Sequence, residues 1–238
     1  MAEIQLKSVS KRWGNFVGVD DFNLTIPPRT TVAITGESGT GKSLLLFTAG
    51  GLADISAGEI YLDGQDIATL RRQDVRRAVG VMSSDVPLLA GSLRRNLIYR
   101  MPGATTGQLD DLIAYCSLGP LVDSLPKGVL TKIGEGGGIL SSGWRARVEL
   151  ARALMGKPRI LLLDEPDARL DQDGRDLLTA ILAKRVHTSV IVTDHPLRLR
   201  EADIVIECRR DGAPVVHHQH TNVFHLNGAS RPTNIENK

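Results

Sequence analysis

Residues 36–43, Gly36-Glu37-Ser38-Gly39-Thr40-Gly41-Lys42-Ser43, fit the spacing G-x-x-x-x-G-K-[ST] of a phosphate-binding loop. The β-branched run Thr31-Val32-Ala33-Ile34-Thr35 precedes it and reads as a buried strand. Leu44-Leu45-Leu46-Phe47 follows as an apolar helix start. Strand, loop and helix in that order are the context this spacing needs. The glycines let successive backbone N–H groups turn inward around phosphate oxygens, and the helix N-terminus adds its partial positive charge. Lys42 is then placed to reach the β- and γ-phosphates, and the Ser43 hydroxyl to ligate Mg²⁺. Gly36 through Leu44 are the expected nucleotide contacts.

Composition narrows the class. A chain of 238 residues allows one large domain, or one domain with a subdomain. Its 42% hydrophobic and 24% charged content is ordinary for a globular protein. A net charge of +2 gives no electrostatic reason to bind nucleic acid. Cys116 and Cys208 lie far apart without a C-x-x-C spacing, which fits buried thiols in a reducing, cytosolic compartment. No apolar run reaches the roughly 18–20 residues needed to span a bilayer. Glu3 and Lys7 interrupt the start too early for a secretory leader.

Along the chain, residues 3–9 and 19–26 alternate apolar and polar, as half-buried strands do, with Gly14 and Asn15 as the turn between them. Residues 57–64 read as a strand closed by the Asp63-Gly64 turn, and 79–82 as a further short strand. Residues 92–155 change period. Ser92, Thr106, and Ser141 or Ser142 are candidate caps for three helices, so this block reads as a helical subdomain inserted into an α/β core. Arg159-Ile160-Leu161-Leu162-Leu163-Asp164-Glu165-Pro166 reads as a buried parallel strand ending in two carboxylates. A helix over 173–185, a strand over 189–193 ending in Asp194-His195, and a strand over 204–206 complete the core. From about residue 212 the chain reads as a disordered or tag-like tail. It carries His217, His218, His220 and His225 but no carboxylate or Cys that completes a metal-ligand spacing.

Asp164 and Glu165 are the second chemical signal. One carboxylate at a strand end can hold the Mg²⁺ shell opposite Ser43, and the next can polarise a water for attack on the γ-phosphate. His195, at the end of the following strand, becomes a γ-phosphate sensor in that company.

Leu140-Ser141-Ser142-Gly143-Trp144-Arg145-Ala146-Arg147, continued by Val148-Glu149-Leu150-Ala151-Arg152-Ala153-Leu154, resembles the signature of ATP-binding-cassette (ABC) ATPases, usually Leu-Ser-Gly-Gly-Gln. The order of phosphate loop, signature, Asp-Glu pair and histidine agrees with that family from about residue 3 to 210. The resemblance implies a RecA-like P-loop core with an N-terminal antiparallel β subdomain and an inserted helical subdomain. Residues 1–84 and 156–212 would form the core, 85–155 the helical subdomain and 213–238 the tail. It also implies a head-to-tail dimer, either a homodimer or a pair with another ABC domain. Each ATP would then lie between one phosphate loop and the partner's signature, with Ser141, Ser142 and Gly143 facing the γ-phosphate. Trp13, 23 residues before Gly36, stands where the family stacks an aromatic on adenine. Residues 167–171 resemble the loop that crosses the dimer, and 131–137 the loop with which exporters touch their membrane helices. The implied protein is an Mg²⁺-dependent ATPase motor of an exporter, on the cytoplasmic face of a membrane, with its transmembrane domain in another part of a longer polypeptide or on a separate chain.

Four departures bear on that expectation. Ser84 stands where the family carries a glutamine that ligates Mg²⁺, and serine is too short to span the same distance without a water. Ser142 and Trp144 replace a glycine and a glutamine of the signature, and Pro166 an alanine. They keep open a regulatory module that binds ATP with little turnover. A soluble, non-transport ABC ATPase is the other alternative, disfavoured by the near-neutral charge.

Overall fold

Leu161, Leu162 and Leu163 expose none of their surface, because strand β7 (Ile160–Asp164) runs inside a sheet that is covered on both faces. The same is true of Val190 and Ile191 in β8 (Thr188–Val192). Burying each such side chain stabilises the fold by about 1.5–3 kcal/mol. The computed structural model that shows this describes residues 2–13, 16–210 and 213–218, without the side chains of 12–18. The expected turn residues Gly14 and Asn15 lie outside it.

The N-terminal part comprises β1 (Ile4–Trp13), β2 (Phe16–Ile26), β3 (Thr31–Gly36), α1 (Lys42–Ala49), β4 (Ala57–Leu62), β5 (Gln65–Asp66), α2 (Arg72–Ala78) and β6 (Val79–Met82). Next come the short helices α3 (Leu93–Leu97), α4 (Thr106–Tyr115) and α5 (Gly119–Ser124), and the longer α6 (Ser142–Leu154). After β7 follow α7 (Pro166–Arg169) and α8 (Gln172–Ala183). After β8 follow α9 (Pro196–Glu201), β9 (Ile204–Cys208) and β10 (Val215–His218).

Two sheets result. The antiparallel one runs β2-β1-β4-β5 and the other β10-β9-β3-β8-β7-β6. In the second sheet β3, β6, β7, β8 and β9 are parallel, while β10 joins antiparallel, Val216 opposite Ile206. One apolar cluster joins the antiparallel sheet to one face of the parallel one, through residues such as Ile4, Ile26, Leu45 and Leu162. The second joins the helices to the other face, through Leu93, Leu97, Leu150, Leu161 and Leu163.

Several local expectations shift. Helix α4 is capped by Thr105, not Thr106. Its hydroxyl accepts from Gln108 N while the Gln108 amide accepts from Thr105 N, a reciprocal capping box. Ser141 is the cap of α6. The start of the tail is not irregular: β10 occupies 215–218, since Val215 and Val216 pack half-buried at the sheet edge while His217 and His218 face outward. His220 and His225 lie outside the described residues. Among the described residues no cluster of three or more His, Cys, Asp or Glu could hold a metal. The helical block is not self-contained, because α6 packs directly on β6 and shares its core with β7. Cys116 and Cys208 are free and buried, and burial pushes their thiols up to about 12 and about 11. Among the described residues no helix is long and apolar enough to cross a membrane.

Candidate nucleotide-binding site

The strand order places β3, β8, β7 and β6 side by side, so four loops leave their C-terminal ends as neighbours. Ligands of open α/β sheets bind at such ends. The loops carry the phosphate loop, Asp194-His195, Asp164-Glu165 and Ser83-Ser84 respectively.

Gly36 ends β3 in a left-handed conformation at φ 134°, and a β-carbon there would lie 2.1 Å from Cys208 O in neighbouring β9. No other residue fits this close backbone approach. Glu37, Ser38 and Gly39 are exposed, whereas Thr40 and Lys42 are buried. The Thr40 hydroxyl donates to Glu37 O at 2.8 Å. Lys42 Nζ folds back over the loop and donates to Gly36 O at 2.6 Å and Glu37 O at 2.9 Å. Gly41 caps α1, whose first turn contains no acidic residue to neutralise its positive end. Leu44, directly after the loop, is buried.

Asp164 is 7% exposed and each of its oxygens accepts a hydroxyl. Ser43 Oγ donates to Oδ1 at 3.1 Å, and Ser83 Oγ donates to Oδ2 at 3.0 Å. One carboxylate and two hydroxyls in a nearly dry pocket are hard oxygen donors. They fit Mg²⁺, which typically takes one or two carboxylates and keeps its other positions for waters and phosphates. The stretch after β6 therefore reaches Asp164 through Ser83, which is wholly buried, and not through Ser84, which is exposed. The strand ends at Met82, and the chain turns at Ser84, which carries that side chain out to solvent. Ser83 is the residue that sequence reasoning missed; its signal was its place directly after β6, at the sheet end where the other site loops leave.

Glu165 adopts a left-handed conformation at φ 47°, ψ 48°, with Pro166 starting α7 directly behind it. Its N–H donates to Val192 O at 3.0 Å, and its side chain is exposed beside the phosphate-loop end of the sheet. A non-glycine residue in this region costs about 1–3 kcal/mol, a cost that clusters at functional sites. His195 is exposed too, and its N–H donates to Thr193 Oγ1 at 3.1 Å. The Thr193 hydroxyl donates to Asp167 Oδ2 at 3.3 Å, and Arg198 Nε donates to Asp167 Oδ1 at 3.1 Å. Asp167 and Arg198 are both buried, so this pair braces the backbone behind Glu165 and His195. Thr35 Oγ1 donates to Asp194 Oδ1 at 2.5 Å and ties the end of β8 to β3.

The signature residues sit apart from this cluster. Ser141 Oγ accepts from Trp144 N at 3.3 Å, and Ser141 and Ser142 are exposed at the N-terminus of α6. Gly143 faces Asp171. Among the described residues no hydrogen bond joins the signature to the phosphate loop of the same chain. Arg147 lies 4.5 Å from the Trp144 ring centroid and holds Asp171 at 2.6 Å and Asp173 at 2.9 Å. The Arg147 hydrogen bond holds the Asp171 carboxyl below its usual range. Trp13 ends β1 with its backbone opposite Phe16, and its side chain lies outside the described residues.

The comparisons agree with this geometry. A family model described as "ABC transporter" matches residues 19–168. "ABC transporter B family member 2" of Dictyostelium discoideum is 33% identical over 211 residues, covering 88% of this chain and 15% of the relative. "Mycobactin import ATP-binding/permease protein IrtB" of Mycolicibacterium smegmatis is 36% identical over 207 residues, covering 85% of this chain and 36% of the relative. A solved structure described as "Structure of a bacterial Atm1-family ABC exporter with ATP bound" superposes with a TM-score of 0.79 at 27% identity, over 87% of this chain and 37% of that one. The chain thus spans well under half the length of each. The phosphate loop, the carboxylate bridging two serines and these similarities agree: the chain belongs to the ABC transporter family.

Proposed function

We propose that the chain is the ATP-binding and ATP-hydrolysing motor domain of an ABC exporter, working as a dimer against membrane helices outside the chain. The observation that carries this reading is Asp164, held between the Ser43 and Ser83 hydroxyls beside the phosphate loop. The Atm1-family exporter structure has ATP bound, and the relatives are more than twice as long as this chain. Both support a nucleotide-driven part of a larger transporter at the cytoplasmic face of a membrane. One relative is named for import.

On this reading the phosphates lie against the N–H groups of residues 36–44, and Lys42 exchanges its two carbonyl partners for phosphate oxygens. Trp13 stacks on the adenine. Ser43 and Asp164, with Ser83 bonded to the other Asp164 oxygen, would hold Mg²⁺, which would supply positive charge against the phosphates. Glu165 orients and polarises the attacking water, and His195 contacts the γ-phosphate. Ser141, Ser142 and Gly143 of the partner copy close the site from the other side. Phosphate release by the purified chain with Mg-ATP tests the reading. The expected result is hydrolysis abolished by EDTA and by Lys42→Ala; a rate that neither changes overturns it.

One observation favours a second reading, a regulatory module that binds ATP with little turnover. Ser84, which stands where the family carries the Mg²⁺-ligating glutamine, is exposed and makes none of the contacts to Asp164 that Ser83 makes. ATP-dependent dimerisation without phosphate release is the outcome that selects it.

A further inference from the structure

Glu149 is 2% exposed, in the middle of α6, and no step above uses it. A buried carboxylate is costly unless paired. Burial raises its pKa above the ordinary carboxylate range, against the pull of Arg169, Arg152 and Arg145. Arg169, from the segment that follows Glu165, forms an ion pair with Glu149 Oε2. Arg152 lies one turn along α6, is itself 2% exposed, and donates from Nη1 to Pro87 O at 2.8 Å and from Nη2 to Val86 O. Val86 is three residues after Ser83, and its N–H bonds back to Ser83 O at 3.1 Å. Arg169 is four residues after Glu165 and lies in α7, whose first carbonyl, Pro166 O, accepts from Leu170 N at 2.9 Å.

The two loops that carry Ser83 and Glu165 are therefore strapped to the same turn of the signature helix. We infer that Glu149 is a positioning residue: through Arg169 on one side and Arg152 on the other it holds the Glu165 loop and the Ser83 loop in one fixed relation beneath the site. Arg169 pairs with the carboxylate directly, and Arg152, three residues along the same helix and bonded to Val86 O and Pro87 O, is attracted to it electrostatically. With it neutralised, Arg152 and Arg169 are left as neighbouring like charges, and both loops loosen together. Arg169 Nη1 is buried without a hydrogen-bond partner, so this arm depends on the Glu149 ion pair.

That the loops serve hydrolysis rests on the ATPase reading; their linkage does not, so the first measurement is made without nucleotide. Backbone hydrogen exchange is followed in wild type, Glu149→Gln and Arg169→Gln. Arg169 is partly exposed, so its variant folds even if the buried substitution does not. Arg169→Gln is expected to speed exchange across residues 83–89, which Arg169 does not touch, by about threefold or more, as coupling within one cluster of interacting charges implies. Glu149→Gln, where folded, speeds both 83–89 and 166–171. If Arg169→Gln speeds only its own loop, or neither, the linkage is overturned. The second measurement is steady-state hydrolysis. A several-fold lower kcat with the ATP KM unchanged, restored in part by Arg169→Lys, is expected for a positioning role. A lowered thermal midpoint with kcat unchanged overturns that role. Wild type that releases no phosphate overturns the ATPase reading and leaves the exchange result to decide the linkage.

Discussion

The Asp171 carboxylate lies 2.6 Å from the point that a β-carbon on Gly143 would occupy. Asp171 caps α8 by accepting from Gly174 N at 3.0 Å and holds Arg147 at 2.6 Å. The fourth signature residue is thus a glycine because the loop after Glu165 is pressed against it. Gly143→Ala must displace the carboxylate and strain both contacts. The expected cost is about 1–3 kcal/mol, as for other overpacked sites. In a domain of this size each kcal/mol lowers Tm by about 2–4 °C. Calorimetry checks the cost, and an unchanged Tm would mean that Asp171 moves aside freely.

The two adjacent serines separate cleanly by experiment. Ser83→Ala removes a buried donor from Asp164 and should cost about 1 kcal/mol of stability. It should also raise the Mg²⁺ concentration needed for half-maximal turnover, because Asp164 loses one of its two orienting partners. Ser84→Gln should instead raise turnover with little change in ATP affinity, since it returns a long amide to an exposed position that holds none. Magnesium titrations of both variants decide this; equal effects would mean that the two positions share one role.

Glu165→Gln keeps shape and hydrogen bonding but removes the charge facing the attacking water. Groups that position or deprotonate water typically supply about 10²–10⁴-fold in rate, and a loss in that range is expected. ATP still binds, so the bridge from phosphate loop to the partner's Ser141 persists. Size exclusion at high protein concentration should show a dimer with Mg-ATP and a monomer with ADP. Equal rates in wild type and variant would remove Glu165 from the catalytic role.

His187 makes stability depend on pH. Its Nδ1–H donates to Pro158 O at 2.6 Å, and burial lowers its pKa below 6.5 despite that bond. Protonation therefore favours the unfolded chain first. The stabilising contribution is complete above the unfolded value of about 6.5 and is lost as pH falls toward the lower folded value. His187→Gln should flatten Tm between neutral and mildly acidic pH while lowering it slightly at neutral pH. An equal acid-side fall in both proteins would assign that fall to other groups.

Much of the site is local in the chain, and so was legible in it. The phosphate loop needs only its own glycines and the strand and helix beside it. Asp164 and Glu165 announce themselves as two charges ending an apolar run, and Ser141 as a cap before a helical period. These features rest on backbone geometry within a few residues, where residue type and spacing decide the outcome. The other part depends on which strands become neighbours, and that is settled by packing among residues far apart in sequence. The order β3-β8-β7-β6 brings Ser43 and Ser83 to opposite oxygens of Asp164, from 121 and 81 residues away. The turn that begins after β6 leaves Ser83 inward and Ser84 outward. The burial of Glu149 under two loops, the Asp167–Arg198 brace and the β10 edge strand likewise arise only in the folded chain. A buried charge is tolerated only where a distant partner arrives to meet it, and the chain's local pattern carries no record of that arrival.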